Sequence, residues 1–310
     1  MREYEFPTPA SEQSEQKASQ FLAEQFETHR SHLRAVAYRM LGSLSEADDA
    51  LQEAWLKVGR SGTSGVENLG GWLTTVVGRV CLDMLRTRRA RIRHEEPLGV
   101  RMPEPVVSST NGLDPEQEVL LADSVGLALL VVLETLTPAE RLAFVLHDLF
   151  AVPYEEIAPV VGRTPTAARQ LASRARRRVQ SGAPAPDTDL ARQREVVDAF
   201  LAAAREGDFD ALVAILAPDA VVRTAGVVVR GAEGVAAGAQ AGARLGKAGR
   251  PALVNGVAGI VVVDKGRPVR VLAFTVVHDR IAAIDIVSEP ELLAGLDLTV
   301  LDESAPLEER

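Results

Sequence analysis

Apolar positions recur at helical spacing through the first part of the chain. In FLAEQFETHRSHLRAVAYRMLGS, Phe26, Leu33, Val36, Ala37, Met40 and Leu41 fall near helical steps, which predicts a helix from Gln20. Ser45 opens SEADDALQEAWLKVGR, and Asp48 stands where a capping box carries its acid, so a second helix follows. After the Gly/Ser loop SGTSGVENLGG, a third helical stretch begins at Trp72. Residues 20–94 thus form one helical module, preceded by a polar segment, 1–19, expected to be disordered. Pro97, Pro103, Pro105 and Pro115 predict a linker over 95–115. A second helical module covers 116–181, and a short linker, 182–189, closes it. From Leu190 the pattern changes. Two amphipathic helices separated by Gly207 and Asp208 lead into short β-branched runs punctuated by Gly, Asn and Asp. That predicts a separate α+β domain over 190–295 with a curved antiparallel sheet, followed by an acidic tail, 296–310. The fold class is multidomain: two all-α modules and one C-terminal α+β domain.

Composition narrows the options. A length of 310 residues favours two or three domains. With a net charge of −9, contact with nucleic acid has to come from locally clustered arginines. The single cysteine, Cys81, excludes an intramolecular disulfide, and its apolar surroundings make it a small buried hydrophobe. Trp55 and Trp72 read as core residues. No apolar run is long enough to span a membrane and the first residues do not form a signal peptide, so a cytoplasmic protein is expected.

The arginines cluster in YEEIAPVVGRTPTAARQLASRARRRV, residues 154–179. Gly162 marks a tight turn, Thr164 suits an N-cap and Pro165 suits the first helical position. The helix that follows carries Arg163, Arg169, Arg174, Arg176, Arg177 and Arg178, with no acid between Glu156 and Asp187. A helix-turn-helix with so basic a second helix is suited to a DNA groove. Thr164, Thr166, Ala167, Arg169, Gln170, Ser173 and Arg174 lie on the first turns, where base edges are reached, and Gln170 with an arginine can read them. Arg176, Arg177 and Arg178 are placed to hold phosphates.

A helical module, a proline-containing linker and a helix-turn-helix in this order resemble an extracytoplasmic-function sigma factor, over about residues 20–180. SEADDALQEAWLKV resembles the acidic helix of sigma region 2, which implies that Asp48, Asp49, Gln52, Glu53 and Trp55 meet the clamp helices of the RNA polymerase β′ subunit. GGWLTTVVGRVCLDMLRTRRAR resembles the helix that meets the −10 element, which implies that role for Arg79, Asp83, Arg86, Arg88 and Arg89. The loop from Gly59 to Gly71 would form the pocket for a flipped-out base, with Asn68 as its hydrogen-bonding residue. Val161–Val179 resembles the region 4 recognition helix for the −35 element, with Pro165, Ala168 and Arg169 departing from the usual pattern. The β flap of the polymerase is the partner this module implies.

EGDFDALVAILAPDAVV resembles the opening of a SnoaL-like domain, a cone-shaped fold found fused to sigma factors of the SigJ type. In that group a W-L-P-E-P motif marks the linker, and Pro103, Glu104 and Pro105 are its surviving part here. Asp264, Lys265 and Gly266 are nearest to the group's Asp-Gly-Gly-Gly-Lys motif. Ser288, Glu289, Pro290, Glu291 and Leu292 replace its Asn-Pro-Asp-Lys-Leu segment. The resemblance implies that Pro103, Glu104, Pro105, Asp264, Lys265, Glu289 and Pro290 serve interdomain regulation, that no metal or cofactor is used and that the protein is not an enzyme, and the linker is long enough for a compact monomer, the form expected when the protein is free. Two rivals remain at this point. A one-component helix-turn-helix regulator would use the last domain to sense a ligand. A SnoaL-like enzyme would need a polar pair such as His278 with Asp279 or Asp285, although VVHDRIAAI reads as strand, turn, strand.

Overall fold

The apolar stripe of helix α1 (Pro9–Leu41) is buried against α2 (Leu44–Ser61) and α3 (Leu69–Ile92). Leu33, Val36 and Met40 meet Leu51 and Val58 of α2 and Leu73, Val77, Val80 and Cys81 of α3, all buried. Each buried Leu, Val or Met side chain here contributes about 1.5–3 kcal/mol of transfer free energy. The computed structural model describes residues 9–61, 66, 68–92, 101–109, 126–246, 249–296, 298 and 299. Residues 9–19, expected to be disordered, extend α1 instead. Gly42 ends that helix at φ 74°, a conformation that costs a residue without Cβ little. Helix α2 starts at Leu44, one residue ahead of the expected Ser45. The hydroxyl of Ser43 accepts from the Glu46 amide at 3.3 Å, and Asp48 is drawn away from any capping role by Arg34.

The expected linker is not a free spacer where it is described. Met102, Pro103, Pro105 and Val106 are buried, and Val107–Ser108 forms a strand, β1. Residues 93–100 and 110–125 lie outside the described residues. The second module follows with α4 (Leu127–Glu134), α5 (Pro138–Phe144), a π-type turn (Val145–Leu149), α6 (Tyr154–Val161) and α7 (Pro165–Gly182). Thr137 and Glu140 close a capping box at the start of α5.

The C-terminal domain opens with α8 (Leu190–Glu206) and α9 (Phe209–Ile215), capped by Asp189 and Asp208. Next come β2 (Leu216–Thr224), β3 (Val227–Arg230), α10 (Ala232–Gly246), β4 (Gly249–Val254), β5 (Val257–Asp264), β6 (Arg267–Val277), β7 (Arg280–Val287) and α11 (Pro290–Leu293). The strands run in the order β1-β4-β5-β6-β7-β2-β3. The sheet is mixed rather than antiparallel throughout. Strand β2 pairs parallel with β7, the two being separated in the chain by β3, α10 and the hairpin-linked β4, β5 and β6. The linker's β1 extends the sheet through Val107↔Val254 and Ser108↔Leu253.

Alternation along the strands gives the sheet two apolar faces. Ala258, Ile260, Phe274, Val276 and Ile284 face α8 and α10. Val257, Val261, Val271, Ala273 and Val287 join a core continuous with Met102, Leu127, Leu130 and the helices of the first module. The domain is therefore built onto the helical modules through one side of its sheet.

Candidate nucleic-acid and polymerase interfaces

The turn of the helix-turn-helix is set by Gly162 at φ 68°, followed by an Arg163 amide that reaches back to the Ala158 carbonyl at 2.9 Å. Thr164 then accepts from the Ala167 amide at 3.3 Å, with Pro165 at the head of α7. Ala168, Ala172 and Ala175 are buried on the inner face, where small side chains let α7 approach α5 closely. That leaves Thr166, Arg169, Gln170, Ser173, Arg174 and Arg177 on one exposed face. Ala167 is half-buried, and Arg163 and Thr164 are exposed at the turn. The Arg169 guanidinium lies 5.3 Å from the Tyr154 ring centroid, a contact that orients it along the helix face.

Two of the three arginines assigned to phosphates are engaged within the protein. Arg176 pairs with Asp148 of the π-type turn, which raises its pKa through that hydrogen bond. Arg178 pairs at 3.1 Å with Glu140 of the capping box. Burial pushes the Glu140 carboxyl up, but hydrogen bonds from Thr137 and the charges of Arg178 and Arg174 outweigh it and hold the pKa below 4.5. Both acids lie outside α7, 28 and 38 residues upstream of their partners, which is why a count of charges along α7 misses them.

On α3, Arg79, Asp83, Arg86 and Arg89 are exposed. Arg88 is turned inward, to Glu46 at 3.2 Å and Glu134 at 3.4 Å, and burial lowers its pKa against the opposing pull of both acids. The side-chain oxygen of Asn68 accepts from the Gly71 amide at 3.0 Å, so it serves the start of α3 instead of standing free in a pocket. Residues 62–65 and 67 of the expected base pocket lie outside the described residues. The exposed side of α3 borders a cleft of about 400 Å³, with Trp72, Thr75 and Arg79 on one wall and Glu156, Pro159 and Val160 of α6 on the other.

Helix α2 exposes Asp49, Gln52 and Glu53, while Asp48 is held by Arg34 at 2.8 and 3.0 Å. Trp55 is half-buried against Phe26, with ring centroids 5.2 Å apart, and Leu56 beside it is 59% exposed. An acidic face edged by apolar groups is suited to a protein partner.

Comparison with known proteins agrees with this arrangement. Sigma-70 region 2 matches residues 25–91 and Sigma-70 region 4 matches residues 126–179. The chain is 40% identical over 296 residues to the extracytoplasmic-function RNA polymerase sigma factor SigJ of Mycobacterium tuberculosis, covering 88% of this chain and 94% of that one. The chain is an extracytoplasmic-function sigma factor of the SigJ type. The crystal structure of the M. tuberculosis SigJ superposes with a TM-score of 0.70 at 37% identity, over 89% of this chain and 99% of that one. The probable sigma factor SigI of the same species is 39% identical over 210 residues, 67% of this chain and 72% of its own.

In this sigma factor buried polar contacts tie the modules together, alongside the Arg88–Glu134 pair. Glu104 is the first. Its carboxylate accepts from the Ser43 hydroxyl and the Leu44 amide at the head of α2, and its own amide donates to the Gly42 carbonyl. Tyr38 donates to the Glu104 carbonyl, and Asn255, in the β4–β5 turn, donates to Tyr38. Second, Arg141 of α5 is buried and grips the Arg39 carbonyl at the end of α1, while its other end pairs with Glu134 at 2.6 Å. Third, Arg223 of β2 donates to the Gly182 carbonyl at the end of α7 and forms a two-pronged pair with Asp285. Burial pushes the Asp285 carboxyl up against the pull of Arg223.

The regulatory residues proposed from sequence fare unevenly. Pro103, Glu104 and Pro105 lie in the first contact. Asp264 and Lys265 occupy an exposed hairpin turn, and the neighbouring hairpin turn at Asn255 makes the contact instead. Glu289 and Pro290 open α11, whose Leu293 is buried in the shared core. His278 and Asp279 form a tight turn with φ of 51° and 61°, and Asp279 pairs with Arg192. Asp285 is held by Arg223, so neither acid forms a pair with His278. Cys81 is buried, Trp72 is half-buried, and no helix among the described residues is long and apolar enough to cross a membrane.

Proposed function

We propose that this sigma factor brings core RNA polymerase to a small set of promoters and that its C-terminal domain restrains it in cis. Asp49, Gln52 and Glu53 meet the clamp helices of β′, with Asp48 and Trp55 supporting that face. Arg79, Asp83, Arg86 and Arg89 take the melted −10 strand, where guanidinium groups track phosphates and stack on bases. The second module engages the β flap and lays the exposed face of α7 into the −35 major groove, with Gln170 and Arg174 reading base edges. The free protein is a monomer.

The observation that carries the restraint is the cleft between Arg79 on α3 and Glu156 on α6. A DNA strand on that side of α3 and the helix-turn-helix would occupy the same space. Initiation therefore needs the modules to part, and the contacts through Asn255 and Arg223 oppose their parting. Run-off transcription with core polymerase on the protein's own upstream promoter tests this. Full-length protein is compared with truncations ending near Ser181 and near Leu296. Promoter-specific transcript that rises when the C-terminal domain is removed is the expected result. Tight duplex binding by the protein alone, without core binding or transcript, would replace the reading with that of a conventional regulator.

A further inference from the structure

We infer that the C-terminal domain holds a binding site for a small apolar carboxylic acid. A cavity of about 200 Å³ lies between α8, α10 and the sheet face turned away from the helical modules. Phe200, Ile260, Leu272 and Ile284 give it apolar walls. An apolar protein cavity of about 150 Å³ already admits benzene. Helix α10 borders it with glycines: a Cβ at Gly238 or Gly242 would meet no atom within 4 Å. The space is thus left open by the residue types chosen along that helix.

One charged side chain lines this wall. Arg270 of β6 is half-buried there and, among the described residues, has no carboxylate partner. A guanidinium at the edge of an apolar cavity presents a fork that matches a carboxylate. The ligand class follows from both features: an apolar body for the walls and one carboxylate for Arg270. The lining offers no second polar side chain, so the site binds without acting as an acid–base pair. Ile260 and Val262 face the cavity while Val257 and Val261 on the same strand face the helical modules, so the ligand sits one sheet thickness from the interdomain core. The site stands whether or not the domain restrains those modules.

Calorimetric titration of the full-length protein with octanoate, octan-1-ol and octylamine tests the assignment. Octanoate is expected to bind saturably and about tenfold or more tightly than either other probe, the range for a hydrogen bond to a charged group. Arg270→Leu should abolish that preference while octan-1-ol still binds. Gly238→Leu, which fills the open space beside α10, should abolish binding of all three. Thermal melts check that each variant is folded, and if one does not fold the other still tests the site. No saturable heat with octanoate, equal affinity for the three probes, or octanoate binding unchanged by a folded Arg270→Leu variant would overturn the inference. None of these results bears on the run-off experiment, which uses no ligand.

Discussion

Asn255 donates its side-chain amide to the phenolic oxygen of Tyr38 at 2.7 Å, across a sequence separation of 217 residues. Around this bond Asn255 exchanges two hydrogen bonds with the Val106 backbone: the Asn255 amide donates to the Val106 carbonyl at 2.8 Å, and the Asn255 side-chain oxygen accepts from the Val106 amide at 3.1 Å. Asn255 sits at φ 51°, a conformation asparagine tolerates better than most residues, which aims the turn at the linker. Burial drives the Tyr38 phenol above its usual pKa range, so it stays a donor to the Glu104 carbonyl. One short chain of bonds thus joins α1, the linker and the C-terminal domain.

Tyr38→Phe would leave the Asn255 amide without its acceptor and the Glu104 carbonyl without its donor. Stranding buried polar groups costs about 1–3 kcal/mol. Urea unfolding of the full-length protein should show that loss. A truncation ending near Ser181, which lacks Asn255, should show a smaller one. Equal losses in both would mean that Tyr38 acts within the first module alone.

The arginines of α7 divide into two groups that DNA binding can separate. Arg174→Ala and Arg177→Ala remove exposed charge and should each lower the salt dependence of promoter binding by about one unit of slope. Arg176→Ala should leave that slope near its original value and instead lower the melting temperature, since Arg176 is occupied by Asp148. The pair is partly exposed, so the stability effect is modest, about 0–1 kcal/mol. Equal slopes for Arg174→Ala and Arg176→Ala would erase the distinction.

Local signals were legible and distant partners were not. Gly162, Thr164 and Pro165 specify the turn and cap within a few residues, so the helix-turn-helix could be read directly. Binary patterning also announced the change to α+β structure at Leu190. The linker misled because Pro103 and Pro105 resemble spacer residues, while the features that pin this stretch, Gly42 beside Pro103 and the head of α2 beside Glu104, lie far upstream. Arg88, Arg176 and Arg178 read as DNA ligands because nothing beside them in sequence reveals Glu46, Glu134, Asp148 and Glu140. Asn255 had a signal, an Asn-Gly pair between apolar runs, but that signal predicts a hairpin and says nothing of what the hairpin touches.

Glu140 makes acid stability testable. Its folded pKa lies below 4.5, so between the two values the unfolded chain binds more protons than the folded one. Its contribution is present above 4.5 and is lost as pH falls through the folded pKa. Glu140→Gln keeps the capping geometry but cannot titrate. Chemical denaturation at pH values on either side of 4.5 should show a steeper loss on acidification for the parent than for the variant. Parallel pH profiles would remove Glu140 as the cause.

Arg223 and Asp285 separate stability from coupling. Arg223→Leu leaves Asp285 buried without its partner, and breaking a buried pair from one side costs about 3–5 kcal/mol. Replacing both with leucine removes the stranded acid, so the double variant should recover most of that loss. It cannot recover the bond from Arg223 to the Gly182 carbonyl. Hydrogen exchange should therefore be faster over the last turn of α7 in the double variant, including the Ala183 amide that donates to Val179, while the rest of α7 exchanges as before. Exchange there unchanged from the parent would mean that Arg223 supports the sheet alone and that the recognition helix is not held from the C-terminal domain at this point.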